Sequence, residues 1–322
     1  MAAHDDSLLT QDAIDSDTRA FLRSLPPPHD GAPSVAESRL RESQLQNVEV
    51  AKKRVDIEDG VVQSLGRDIS IRVLKPLGWK NGPLPVVLFI HGGGWVVGGK
   101  DTHDRLVRDI AHGAEAAVVF VDYSRAPEAR YPVAVEEAYA ALTWVKEQGH
   151  SVGLDPTRVA LVGDSAGGNI VAAVTLLAQA RGGPRADLQV LLCPVTDASF
   201  AQPSYTDFAD GYFLTRDGLR WAWDQYAPEA AMRTEVTAAP LLATDSQLRY
   251  LPPALIITAE CDVVRDEGEA YARRLMAAGV RVTATRYLGT IHAFTVLNAL
   301  AHTPAARAAV AQINHTIRET LA

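Results

Sequence analysis

Short, unbroken apolar runs separated by helix-length segments constrain this chain more than any other feature. Pro85–Ile90, Ala117–Val121, Val159–Val162, Val190–Leu192 and Ala254–Thr258 carry almost no polar residue. Such runs suit strands buried on both faces of a parallel sheet, where no side chain meets water. Arg281–Arg286 reads as a last strand. Helical patterns fill the gaps near 101–114, 134–148, 166–181, 267–278 and 303–320. Upstream, Val48-Glu49-Val50, Val55-Asp56-Ile57 and Ile69-Ser70-Ile71-Arg72-Val73 alternate, which reads as two antiparallel strands with one exposed face, ending before Pro76. The sum is an α/β fold: an eight-stranded, mostly parallel sheet with helices on both faces.

Size and charge narrow the possibilities. The 322 residues are 47% hydrophobic and 22% charged, enough to bury one large α/β domain with an appended cap, or two domains. The 39 acidic and 31 basic residues leave a net charge of -8 with no basic stretch, which argues against nucleic acid as a partner. Met1–Asp6 lacks a basic segment leading into an apolar core, and no run of ~18 apolar residues exists, so neither a secretory signal nor a membrane span is expected. Cys193 and Cys261 have no metal-type spacing and read as buried free thiols of a reducing, cytoplasmic compartment.

Two stretches break the alternation. In residues 1–46, Ile14, Phe21, Leu22 and Leu25 fall at helical spacing before Pro26-Pro27-Pro28 stops the helix, and Ser34 with Glu37 forms a capping-box pattern for a second helix. This region is either a solvated tail or a helical flap. Residues 197–245 form an insertion too long for a loop and crowded with Tyr205, Phe208, Tyr212, Phe213, Trp221, Trp223 and Tyr226. It is a candidate lid, although packing alone explains some of these rings.

The chemistry centres on Gly163-Asp164-Ser165-Ala166-Gly167, between an apolar strand and a helix. A serine at a sharp strand-to-helix turn is thrust out of the sheet beside free N–H groups at the helix start, and the crowded turn demands very small residues two before and two after it. An activated serine needs a base, an orienting acid and donors for the oxyanion. His91-Gly92-Gly93-Gly94-Trp95, just after a strand, carries more glycine than a tight turn needs and reads as a donor loop. Asp262 follows the strand 254–258, with Glu260 and Asp266 as rivals; His292 follows the strand 281–286, with His103 a weak rival. The serine, the acid and the histidine each follow a strand, which places all three at the same edge of a parallel sheet.

Together, His91–Gly94, Asp122–Glu128, Tyr131-Pro132, Gly163–Gly168, Asp262–Gly268 and His292–Phe294 resemble the bacterial esterases of the hormone-sensitive-lipase family, within the α/β-hydrolases. The likeness runs from about residue 45 to the C-terminus. It departs at Asp262-Val263-Val264 and His292-Ala293-Phe294, where Asp-Pro-Leu and His-Gly-Phe are common. The resemblance implies Ser165 as nucleophile, His292 as base, Asp262 as its orienting acid, and backbone N–H groups of Gly93, Gly94 and Ala166 as the oxyanion hole. It implies cap helices from residues 1–46 and the 197–245 insertion over a catalytic domain of residues 47–322. Trp95, Tyr212 and Phe213 are candidates for the substrate pocket. No cofactor and no metal are implied. The expected substrate is a small ester with a short to medium acyl chain; amide hydrolysis or deacetylation is the alternative, and a non-catalytic receptor of the same fold the remote one. Homodimers are common among such proteins, with the edge strand near 281–286 as the candidate contact. Asp164, Asp122 and Glu128 are read as structural.

Overall fold

The apolar runs become the middle of one sheet. A computed structural model describes residues 13–26 and 33–322, so Met1–Asp6, including His4, and Pro27, Pro28 and His29 lie outside the described residues. Eight strands, β1 (Val55–Ser64), β2 (Arg67–Pro76), β3 (Leu84–Ile90), β4 (Ala117–Val121), β5 (Leu154–Asp164), β6 (Leu188–Leu192), β7 (Ala254–Cys261) and β8 (Val282–Ile291), pair in the order β1-β2-β4-β3-β5-β6-β7-β8. β2 alone runs against the others. Every residue of β3, β4 and β6 is buried. Burying one such Val, Leu or Ile contributes about 1.5–3 kcal/mol, which is why these runs centre the sheet. β2 alternates instead, with Ile69, Ile71 and Val73 inward.

The helices are α1 (Ser16–Ser24), α2 (Val35–Gln46), α3 (Asp104–Ala114), α4 (Val133–Gln148), α5 (Ala166–Arg181), α6 (Ser204–Asp207), α7 (Arg216–Tyr226), α8 (Asp245–Leu248), α9 (Arg265–Ala277) and α10 (Pro304–Leu321). α3 and α10 pack together on one face of the sheet, while α4 and α5 pack together on the other, followed by α8 and α9. Among the described residues, no helix is long and apolar enough to cross a membrane.

Three sequence expectations need correction. Val48–Val50 is not a strand, and β1 begins at Val55. β2 carries through Pro76, tolerated because that proline pairs with the first residue of the edge strand β1. β8 runs on to Ile291, so the last strand delivers His292 directly and not across a loop from residue 286. The expected capping box is present: Ser34 Oγ accepts from Glu37 N–H at 3.2 Å, and Glu37 Oε2 accepts from Ser34 N–H at 2.9 Å.

α1 and α2 are docked, not free. Ile14 forms an isolated bridge with Gly289, and the Phe21 ring of α1 lies 5.8 Å from that of Phe213 in the insertion. From α2, Arg39 Nε donates to Val96 O at 3.0 Å and Gln46 Nε2 donates to Val296 O at 3.2 Å. The root of the insertion is pinned by Glu267 of α9. Its wholly buried carboxyl accepts from Thr196 N–H at 2.7 Å and from the Tyr205 hydroxyl at 2.7 Å. Burial pushes this carboxyl well above the ordinary glutamate range.

Candidate active site

β5 ends at Asp164 and α5 starts at Ala166, leaving Ser165 at the corner with φ 54° and ψ -119°. A non-glycine residue there costs roughly 1–3 kcal/mol and persists only where its surroundings hold it. Backbone bonds do so: Ser165 N–H donates to Leu192 O at 2.7 Å, and Ser165 O accepts from Asn169 N–H at 3.0 Å and Val195 N–H at 3.3 Å. The flanking glycines are set by backbone packing. A Cβ at Gly163 would lie 2.4 Å from Gly167 O, and one at Gly167 would lie 2.0 Å from Ile90 O. Helix, elbow and β3 therefore meet backbone to backbone, with no room for a side chain.

The ends of β7 and β8 bring the acid and the histidine to this corner. His292 Nε2 lies 2.8 Å from Ser165 Oγ, and His292 Nδ1 lies 2.8 Å from Asp262 Oδ2. All three are nearly enclosed, at 7%, 4% and 1% exposure for Ser165, His292 and Asp262. The pairing with Asp262 assigns the proton to Nδ1 and leaves Nε2 to accept from the serine hydroxyl. Asp262 Oδ1 also accepts from Val264 N–H at 3.2 Å. The rivals are engaged elsewhere. Glu260 accepts from Gly289 N–H at 2.8 Å, and Asp266 accepts from Ser204 N–H at 2.9 Å while pairing with Arg265.

The glycine loop sits against the elbow through Asp164. Gly92 N–H donates to Asp164 Oδ1 at 3.0 Å, and Gly93 O accepts from the N–H groups of Val96 and Val97 at 3.0 and 2.9 Å. Gly93 has φ 104°, and a Cβ there would lie 2.4 Å from Val97 O. The N–H groups of Gly93, Gly94 and Ala166 donate to no protein acceptor among the described residues. Beneath them lies a buried charge pair: His103 Nε2 is 3.2 Å from Asp164 Oδ1. Burial opposes both charges, but mutual attraction and the hydrogen bond prevail, so His103 titrates above and Asp164 below its ordinary range. His91, stacked on Tyr123 at 4.1 Å, is instead pushed down to about 3 by burial and the neighbouring His103 charge.

The pocket candidates behave differently from one another. Trp95 is wholly buried, stacked 4.3 Å from Tyr226 and tilted against Trp223 at 4.7 Å, so its ring joins core to insertion. Tyr212 is buried edge-on against Phe208 at 5.2 Å, and Phe213 is half-buried against α1. Cys193, Asp262 and His292 offer atoms within 4.8 Å of one another. Burial pushes the Cys193 thiol well up, however, and a metal ligand needs the thiolate. Sequence reasoning passed over Asn169, whose side chain donates to Val195 O at 3.0 Å and Ala238 O at 2.7 Å, tying α5 to the insertion. It also ranked His103 as a rival base, when its position one turn from the glycine loop was the signal for a partner of Asp164.

A serine–histidine–carboxylate chain at the strand ends of a mostly parallel eight-stranded sheet is the arrangement of an α/β-hydrolase. The chain matches the family described as alpha/beta hydrolase fold over residues 87–296, and it belongs to that family, in the branch of bacterial hormone-sensitive-lipase-like esterases. It is 40% identical to carboxylesterase NlhH of Mycobacterium tuberculosis over 283 residues, 87% of this chain and 88% of that one. It is 37% identical over 297 residues to a putative alpha/beta hydrolase of Acanthamoeba polyphaga mimivirus, covering 91% of this chain and 84% of the other. A thermostable esterase from Pseudomonas putida superposes with a TM-score of 0.94 at 44% identity, over 97% of this chain and 99% of that one.

Proposed function

We propose that the chain is a serine carboxylesterase acting on small esters of short to medium acyl chain. The observation that carries this reading is the pair of 2.8 Å contacts from Ser165 Oγ to His292 Nε2 and from His292 Nδ1 to Asp262. Ser165 Oγ attacks the ester carbonyl as its proton passes to His292. Asp262 holds the imidazole in the required tautomer and stabilises the imidazolium. The N–H groups of Gly93, Gly94 and Ala166 receive the negative charge that develops on the carbonyl oxygen, where losing one donor costs ~10²–10³ in rate. The C–O bond breaks, His292 protonates the departing alcohol, and Ser165 is left acylated. A water deprotonated by His292 then attacks the acyl carbonyl, releasing the acid and restoring the serine. The named activities of the esterase relatives support the substrate class.

Residues 1–46 and 197–245 cap this site in our reading. The contact between Phe21 and Phe213 joins the two segments, and Tyr212 and Phe213 of the insertion are our candidates for the acyl side. The test is hydrolysis of p-nitrophenyl esters of graded acyl length by the unaltered protein and by Ser165→Ala. Activity confined to short and medium chains, and lost in the variant, is expected. Equal rates in the two proteins overturn the proposal, and turnover of amides in preference to every ester replaces it with an amidase.

A further inference from the structure

α2 spans the mouth between the two loops that carry the chemistry. At one end Arg39 donates to Val96 O and Ala126 O, on the side of the glycine loop, and pairs with Glu128 at 2.7 Å. At the other, Gln46 Nε2 donates to Val296 O and Gln46 Oε1 accepts from Asn298 N–H at 2.9 Å, just beyond His292. Residues three and four apart lie on one face of a helix, so Arg39, Glu42 and Gln46 form a line along the docked face. Glu42 sits between the two anchors and therefore over the gap between the glycine loop and the His292 loop.

Its surroundings agree with that placement. Glu42 has no hydrogen bond or ion pair with any described residue, and its side chain keeps part of its surface open. The charged groups close enough to act on it are His103 at the start of α3, Asp164 at the end of β5 and His292 after β8. Arg39 on its own helix is turned away to Glu128, and Arg105 near Gln46 is bound to Asp109 and to the carbonyls of Thr295 and Val296. An enclosed carboxyl without a protein partner, at the edge of a reactive site, is a group left over for the substrate.

We propose that the Glu42 carboxyl is a specificity-determining group of the active site, which favours esters carrying a hydroxyl or ammonium donor a few bonds from the reacting carbonyl and rejects esters carrying a carboxylate there. The proposal rests on the carboxylesterase reading above. Burial raises the titration of Glu42 above the ordinary glutamate range, with Asp164 adding to the rise and the two histidines opposing it. The carboxyl is therefore neutral at low pH, and its repulsion of a substrate carboxylate grows as pH rises through that raised midpoint.

The test compares three esters of matched length by pH-stat titration: ethyl hexanoate, ethyl aminohexanoate with a terminal ammonium, and monoethyl adipate with a terminal carboxylate. Each is run with the unaltered protein and with Glu42→Gln. The readout is kcat/KM for each charged ester divided by that for ethyl hexanoate. In Glu42→Gln the adipate ratio should rise roughly tenfold and the ammonium ratio should fall by a similar factor, as expected when one close charge is removed from a partly enclosed site. In the unaltered protein the adipate ratio should decline with rising pH, and the variant should lose that decline. Ratios that are the same in both proteins, or independent of pH in the unaltered one, overturn the proposal. The pH series stands by itself if the variant does not fold. Failure of the unaltered protein to hydrolyse ethyl hexanoate overturns the esterase reading instead.

Discussion

Asp164 does no chemistry in this mechanism, yet three parts of the site depend on it. It accepts from Gly92 N–H, pairs with buried His103 and immediately precedes the strained Ser165. Removing one partner of a buried pair leaves the other charge unpaired, so Asp164→Ala should cost about 3–5 kcal/mol in denaturant unfolding. Asp262→Asn differs in kind: with its geometry kept, it should lower kcat by ~10⁴ through the wrong imidazole tautomer while leaving the unfolding midpoint nearly unchanged. Ser165, Asp262 and His292 were legible in sequence because each follows a strand, and the glycines around Ser165 mark the turn that carries it. Glu42 was not, because its position over the site is set by how α2 docks, and no periodicity records that.

Among the elements, the segments outside the sheet pattern are held by a few buried polar anchors. Glu267 fixes the root of the insertion through Thr196 and Tyr205. Burial pushes its carboxyl well above the ordinary glutamate range, and glutamine keeps its shape and one acceptor oxygen. Glu267→Ala should therefore lose about 2–4 kcal/mol in chemical denaturation, and Glu267→Gln clearly less. On α2 the exposed Arg39–Glu128 pair should contribute little to stability despite its short contact, because water competes for both partners. Gln46, 7% exposed and bonded at both ends of its amide, should matter more. Measuring Glu128→Gln and Gln46→Ala side by side checks that order. The capping box of α2 was readable from Ser34 and Glu37, since it is a local device. The start of β1 was not, because that edge strand is exposed on most of its length and the alternation at Val48–Val50 looks no different from that at Val55–Ile57. The aromatics at 205–226 showed that an insertion existed but could not separate rings that pack, such as Trp223, from rings that meet substrate.

For the whole molecule, buried His91 beneath the site weakens the fold toward acid. His91 titrates near 3 when folded and at an ordinary 6.5 when unfolded. Between those values the unfolded chain binds more protons, so His91 lowers stability as pH falls from 6.5 toward 3, by up to about 1.4 kcal/mol per unit. His103 works in the other direction: its folded value is raised, so its contribution is complete below 6.5 and fades as pH rises through the folded value. Unfolding free energy should accordingly drop between pH 6.5 and 4, and His91→Gln should flatten that slope even if it lowers the plateau. The sheet order and both helical layers follow from the alternation of apolar runs, and they bring residues 165, 262 and 292 to one edge. The direct test of that convergence is covalent: rapid quenching of the protein with p-nitrophenyl acetate, followed by peptide mapping. The acetyl group should be found on the peptide containing Ser165 and be absent from Ser165→Ala. Acetylation elsewhere, or ester turnover with no label on Ser165, would contradict the mechanism.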